Sequence, residues 1–125
     1  MKQAVIDIGS NSMRLTVYET NGGIFTVLFK DKVMAGLAGY VEDGVLSQDG
    51  INRACQGLLS FQATLEALDI RRVAVFATAS LRNIKNTRQA VALLEATTGY
   101  PIEVLSGEEE ARWGYEGAME ELEIS

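Results

Sequence analysis

Histidine is absent from these 125 residues. That removes the commonest general base and the commonest transition-metal ligand among side chains. Any catalysis must therefore rest on carboxylates, arginine, lysine or hydroxyls. Cysteine is nearly absent as well. Cys55 is the only one, so no intrachain disulfide can form, and a reducing cytoplasm is the expected compartment. Its place in an apolar helical pattern marks it as a buried spectator rather than a nucleophile. No apolar run approaches the roughly 20 residues needed to span a bilayer, so no membrane association is expected. Met1-Lys2-Gln3-Ala4-Val5-Ile6-Asp7 runs straight into a strand pattern without an apolar signal-peptide region, and no secretory signal is expected. Positive charge is in short supply: 11 Lys and Arg stand against 17 Asp and Glu, a net charge of −6. This balance argues against a nucleic-acid-binding surface. It would also repel a polyanionic substrate at long range, although a local basic pocket survives on an acidic body through field focusing.

What is present reads as one α/β domain over residues 1–125, of a size that supports a single core. Ala4-Val5-Ile6-Asp7-Ile8-Gly9 reads as a short buried strand ending at a glycine. Met13 to Thr20 alternates apolar and polar residues, as a half-exposed strand does. Asn21-Gly22-Gly23 predicts a hairpin turn, and Ile24 to Lys30 a returning third strand. The glycine-punctuated stretch from Gly36 to Gly44 reads as loop. Ser47 is placed to cap a long helix through Leu68, whose apolar face is Ile51, Ala54, Cys55, Leu58, Phe61, Leu65 and Leu68. Val73 to Ala77 is a continuous apolar run suited to a parallel strand covered on both faces. A second helix spans Thr87 to Thr97 and is closed by Gly99, with Pro101 just beyond; Ile102 to Leu105 is the last strand. From Gly107 the chain reads as helix to about Leu122. The predicted order is βββαβαβα, a mixed five-stranded sheet with helices packed on its faces. Residues Met119 to Ser125 end while still helix-like, which suggests a boundary inside a longer protein.

Three segments carry side chains suited to phosphate chemistry. In Asp7-Ile8-Gly9-Ser10-Asn11-Ser12, the glycine permits close backbone approach and the next three residues offer N–H and hydroxyl donors in a tight bend. Asp7 beside a bound phosphate makes sense with Mg²⁺ or water between them. The same residues also suit an ordinary turn held by a local side-chain hydrogen bond. In Ala77-Thr78-Ala79-Ser80-Leu81-Arg82-Asn83, Arg82 falls at the strand's C-terminal edge, where a guanidinium can clamp a phosphoryl oxygen; a plain surface arginine is the alternative. In Ser106-Gly107-Glu108-Glu109-Glu110-Ala111-Arg112, Ser106 and Glu109 match a capping box, and Glu108 fits as a first-turn acid. Glu110 has neither explanation. It borders the apolar face of Ala111, Tyr115, Ala118 and Leu122 at the strand-to-helix junction, where α/β sheets place their ligand sites, and is suited to act as a base toward water. A solvated helix start is the competing account of three consecutive glutamates.

Taken in order, these segments resemble the exopolyphosphatase/guanosine-pentaphosphate phosphohydrolase (Ppx/GppA) family. The first resembles its phosphate loop. The second, with Asn86 following, resembles its arginine segment, and Tyr100 to Arg112 resembles the segment bearing its catalytic glutamate. Gly44-Val45-Leu46-Ser47 at the helix opening also fits. The resemblance implies an actin-like (ribonuclease H-like) lobe, the N-terminal one of two, with the active site in the cleft between them. It implies Glu110 as the base that activates water and Arg82 as the ligand of the phosphate being cleaved. It further implies Gly9, Ser10, Asn11 and Ser12 as the phosphate cradle, with Asp7 near Mg²⁺. The expected activity is hydrolysis of terminal phosphoanhydride bonds of polyphosphate or guanosine pentaphosphate, in the bacterial cytoplasm and within the stringent response.

Two departures bear on that expectation. An Arg-Leu-Gly-type segment commonly follows the family's third strand, whereas this chain reads Lys32-Val33-Met34-Ala35-Gly36-Leu37; Lys30 or Lys32 is the available substitute. The family's second phosphate loop and its acidic metal ligands belong to the C-terminal lobe, which nothing in this chain matches. The lobe alone is therefore expected to fold with little or no turnover, and its uncovered face to favour a homodimer. The alternatives are a non-catalytic module of the same fold that senses a phosphorylated nucleotide, an actin-like small-molecule kinase, and a structural or dimerisation domain without phosphate affinity.

Overall fold

The computed structural model describes residues 1–109. The readings placed on Glu110, Ala111, Arg112 and the helix to Leu122 lie outside the described residues.

Chain order opens with three strands, β1 (Lys2–Ile8), β2 (Met13–Asn21) and β3 (Ile24–Val33). Register pairs β1 with β2 antiparallel from Lys2↔Glu19 to Ile8↔Met13, and β2 with β3 from Met13↔Val33 to Asn21↔Ile24. The β2–β3 turn is Gly22-Gly23, both at positive φ (60° and 85°), with Asn21 kept in the strand. A bulge opposite Val17/Tyr18 leaves Leu28 without a register partner.

Residues 36–44, expected as loop, carry regular structure. A single 3₁₀ turn (Leu37–Tyr40) leads into a small hairpin of β4 (Val41–Glu42) and β5 (Val45–Leu46). Its turn is Asp43-Gly44, with φ of 53° and 78°. Both central residues at positive φ give the twist that matches two paired strands, and Asp-Gly is a preferred pair for it. The hairpin signal is thus present inside a stretch whose glycine density reads as loop.

α1 (Gln48–Ala67) starts where Ser47 predicts: the Ser47 hydroxyl accepts the Gly50 N–H at 3.1 Å. Ile51, Ala54, Leu58, Phe61 and Leu65 are buried as expected, Cys55 is half-buried with its thiol toward Thr97, and Leu68 is exposed at the C-cap. Then come β6 (Arg72–Ala77), a short α2 (Ala79–Arg82) that the sequence pattern did not reveal, α3 (Thr87–Thr98) and β7 (Ile102–Val104). Gly99 closes α3 in the left-handed conformation. β6 lies between β1 and β7 and is parallel to both, so the sheet order is β3-β2-β1-β6-β7.

Alternation along the strands sorts the two faces. Ala4, Ile6, Ile8, Met13, Leu15 and Val17 join residues of α1 and α3 in the main core. Val5, Tyr18, Phe76 and Leu105 form a smaller cluster on the opposite face. Among the described residues no helix is long and apolar enough to cross a membrane.

Candidate active site

Because β1, β6 and β7 are parallel, their C-terminal ends open on one edge of the sheet. The loop after Ile8, the segment after Ala77 and the segment after Val104 therefore meet there. Direct bonds tie the three together. The Ser80 hydroxyl, on a buried residue, donates to the Ile8 carbonyl, and the Thr78 N–H points at the same oxygen at 3.5 Å. Arg82 Nη1 donates to the Leu105 carbonyl at 2.9 Å, and the Leu105 N–H donates to the Ala77 carbonyl at 2.8 Å.

The Gly9–Ser12 bend is closed by the Gly9 N–H on the Ser12 carbonyl at 3.1 Å. A Cβ on residue 9 would lie 2.7 Å from that carbonyl oxygen, so the bend requires glycine. The Ser10 and Asn11 carbonyls are both taken by the chain beyond β3, from Ala38 N–H and Gly36 N–H at 3.0 Å each. In a trans peptide the next residue's N–H points opposite to the carbonyl. The N–H groups of Asn11 and Ser12 accordingly face away from that bracing segment. Among the described residues no acceptor takes the N–H of Ser10, Asn11 or Ser12. Outward N–H groups in a bend whose carbonyls are held behind it suit an anion.

Asp7 is half-buried on the face opposite α1 and α3. Its register partners are Arg14 on β2 and Phe76 on β6. Arg14 Nε donates to the Ser12 hydroxyl at 3.3 Å, so this arginine lies against the bend. Cross-strand partners share a face, and the Arg14↔Lys32 and Thr16↔Lys30 pairs put three cations on the face that carries Asp7. With Thr16, Tyr18, Val27 and Asp31 they line a groove of about 580 Å³. Lys30 and Lys32 are the substitutes that the sequence offers for a missing arginine, and the structure adds Arg14. Its signal was the β2 alternation, which sets Arg14 against the strand end bearing Asp7.

The capping box at the third segment is formed reciprocally: Glu109 N–H to the Ser106 hydroxyl at 3.0 Å, and Ser106 N–H to the Glu109 carboxylate at 3.2 Å. Glu109 thus has a structural role and Glu108 is exposed. Arg82 is half-buried and held at the β7 exit, on the edge the sequence predicted for it. Glu110 lies outside the described residues.

No group of three or more His, Cys, Asp or Glu that could hold a metal gathers among the described residues. Asp7, on the strand that leads into the bend, is a carboxylate of the kind that Mg²⁺ takes. That ion binds through one or two carboxylates, substrate phosphate oxygens and water rather than in an all-protein cage.

A family model described as the Ppx/GppA phosphatase family matches residues 16–125. The structure of a Ppx/GppA family member from Aquifex aeolicus is 30% identical, with a TM-score of 0.84 over 92% of this chain and 38% of that one. An exopolyphosphatase from Cytophaga hutchinsonii has the same fold: TM-score 0.85, 22% identity, over 96% of this chain and 39% of that one. A ROK-family transcriptional regulator, a homologue of the E. coli MLC protein, shares the fold more distantly, with a TM-score of 0.50 at 19% identity. The chain thus spans about two fifths of the length of the Aquifex and Cytophaga proteins. The mixed α/β lobe read from the sequence is the fold these proteins share.

Proposed function

This chain belongs to the Ppx/GppA phosphatase family, and on that premise we propose that it supplies the phosphate-binding lobe of a phosphoanhydride hydrolase. The substrate is a linear chain of phosphates, inorganic polyphosphate or the phosphate tail of guanosine pentaphosphate, and a second lobe outside this chain completes the cleft. The observation that carries the reading is the hydrogen-bonded meeting of three segments at one sheet edge: Ile8–Ser12, Thr78–Arg82 and Leu105–Ser106.

The roles follow from the chemistry of each group. The N–H groups of Ser10, Asn11 and Ser12 hold phosphate oxygens, with Gly9 making the bend. Arg82, anchored through Leu105, neutralises charge on the phosphoryl group being transferred. Glu110 follows the capping-box glutamate in sequence and takes the proton of the attacking water. Phosphoryl transfer rests on positioning and charge neutralisation rather than on covalent catalysis, which suits a site without histidine or a reactive thiol. Asp7 would hold Mg²⁺, and the ion would offset the negative charge of the phosphate oxygens. The groove of Arg14, Lys30 and Lys32 answers the objection raised by the net charge of −6. Arg14 touches the bend through Ser12, and the groove that it shares with Lys30 and Lys32 would take the continuation of a phosphate chain longer than one unit.

The test is Mg²⁺-dependent phosphate release from polyphosphate and from guanosine pentaphosphate by the whole protein and by Arg82→Ala. Release that falls about 10²-fold or more in the variant, with folding retained, is the expected result. Binding of either compound without release by the whole protein would favour the sensing module.

A further inference from the structure

Asn86 occupies the N-cap of α3, a position where asparagine usually turns its side chain onto its own helix. Here it makes no such bond. Its amide reaches 40 residues back: Oδ1 accepts the Leu46 N–H at 3.0 Å and Nδ2 donates to the Leu46 carbonyl at 2.9 Å. Both main-chain groups of one residue are thus satisfied as a neighbouring strand would satisfy them. Nδ2 also lies 3.3 Å from the Gln89 side-chain oxygen, which helps fix the orientation of the amide. Next to it, the Lys85 N–H donates to the Gly44 carbonyl at 2.7 Å. The β4–β5 hairpin is therefore fastened to the residues immediately following Arg82.

The other end of that segment holds the phosphate bend, through Gly36 N–H on Asn11 and Ala38 N–H on Ser10. What lies between is tightly seated. Leu37 and Leu46 are each 1% exposed, and the Tyr40 carbonyl accepts the Ser47 N–H at 3.0 Å. Gly50 of α1 lies so close that a Cβ there would fall 2.6 Å from both Tyr40 and Leu46 side-chain atoms. A packed strap with so little free space transmits a displacement instead of absorbing it.

We propose that Asn86 is a positioning residue. By clasping Leu46 it locks the 36–46 strap, so that the Ser10–Ser12 bend and Arg82 are held at a fixed spacing. The forgone helix cap is what the chain gives up for that link. The inference rests on the proposed phosphatase reading for its catalytic consequence, but its structural half can be tested separately.

The experiment uses the whole protein, wild type, Asn86→Ala and Thr98→Val. The last removes a buried hydroxyl at the other end of α3 and serves as a destabilised control. Two quantities are measured: site-resolved amide hydrogen exchange, and kcat and KM for phosphate release from polyphosphate. In Asn86→Ala, exchange at Leu46, Gly36 and Ala38 rises together by about tenfold or more. The kcat falls about 10- to 100-fold, as a misplacement near 1 Å costs, with KM changed less. Thr98→Val moves neither. Faster exchange at Leu46 with wild-type exchange at Gly36 and Ala38 would overturn the proposal, as would the same kinetic change in Thr98→Val. If Asn86→Ala does not fold, Asn86→Asp keeps the shape but sets a carboxylate oxygen against the Leu46 carbonyl, and the same pattern is expected of it. A wild-type protein that releases no phosphate would refute the phosphatase reading, and the exchange pattern alone would then decide the link.

Discussion

On one face of the sheet, Ala4, Ile6 and Ile8 of β1 and Met13, Leu15 and Val17 of β2 lie in one core with residues of α1 and α3. On the other, the same two strands present Gln3, Val5 and Asp7 and, opposite them, Tyr18, Thr16 and Arg14. The first face is aliphatic and almost wholly buried. The second mixes a small apolar cluster with an acid, three cations and a groove. The two faces differ only in the parity of the residues that build them. A one-residue slip of register would exchange them, so the packing that stabilises the sheet also determines which side carries the charge. The segments that follow Ile8, Ala77 and Val104 then need only the parallel order of β1, β6 and β7 to meet at the edge.

The comparison can be broken from the aliphatic side. Phe61 is fully buried in the main core, and Phe61→Ala should lower unfolding stability by about 3–5 kcal/mol. The molecules that remain folded should bind phosphate as before. A denaturant titration with binding measured below the transition checks both halves. Loss of phosphate affinity in the folded protein would mean that the faces are not separable in function.

From the charged side a smaller effect is expected. Lys30 and Lys32 are exposed, so Lys30→Ala with Lys32→Ala should leave stability within about 0.5 kcal/mol per site. KM for polyphosphate should rise about fivefold at low salt, as loss of one or two screened contacts implies. The difference should vanish near 1 M salt, where the screening length is about 3 Å. A KM unmoved at low salt would remove the groove from the substrate's path.

Much of this arrangement was legible in the sequence because the signals are local. Ser47, Gly99 and the Ser106/Glu109 pair mark helix ends through bonds to backbone within three or four residues. The alternation of β2 marks its core-facing residues, but Thr16, Tyr18 and Thr20 on the other face are buried too, and the apolar run of β6 is buried only over Val75, Phe76 and Ala77. What escaped reading was short or distant. Asp43-Gly44 was a hairpin signal hidden among other glycines. α2 is a single turn, too brief for any period. Arg14 became part of the site only through its register with Asp7 and its bond to Ser12. The Asn86 clasp joins residues 40 apart, and nothing in the local pattern distinguishes it from an ordinary helix cap.

The most direct test of the central claim is phosphate release with Glu110 neutralised. Wild type, Glu110→Gln and the 125-residue chain alone are assayed with polyphosphate and Mg²⁺, together with a binding measurement on each. The account predicts release by the whole wild-type protein and a fall of about 10²- to 10⁴-fold in Glu110→Gln with binding kept. It predicts little or no turnover by the lone chain. Full activity in Glu110→Gln would contradict the mechanism.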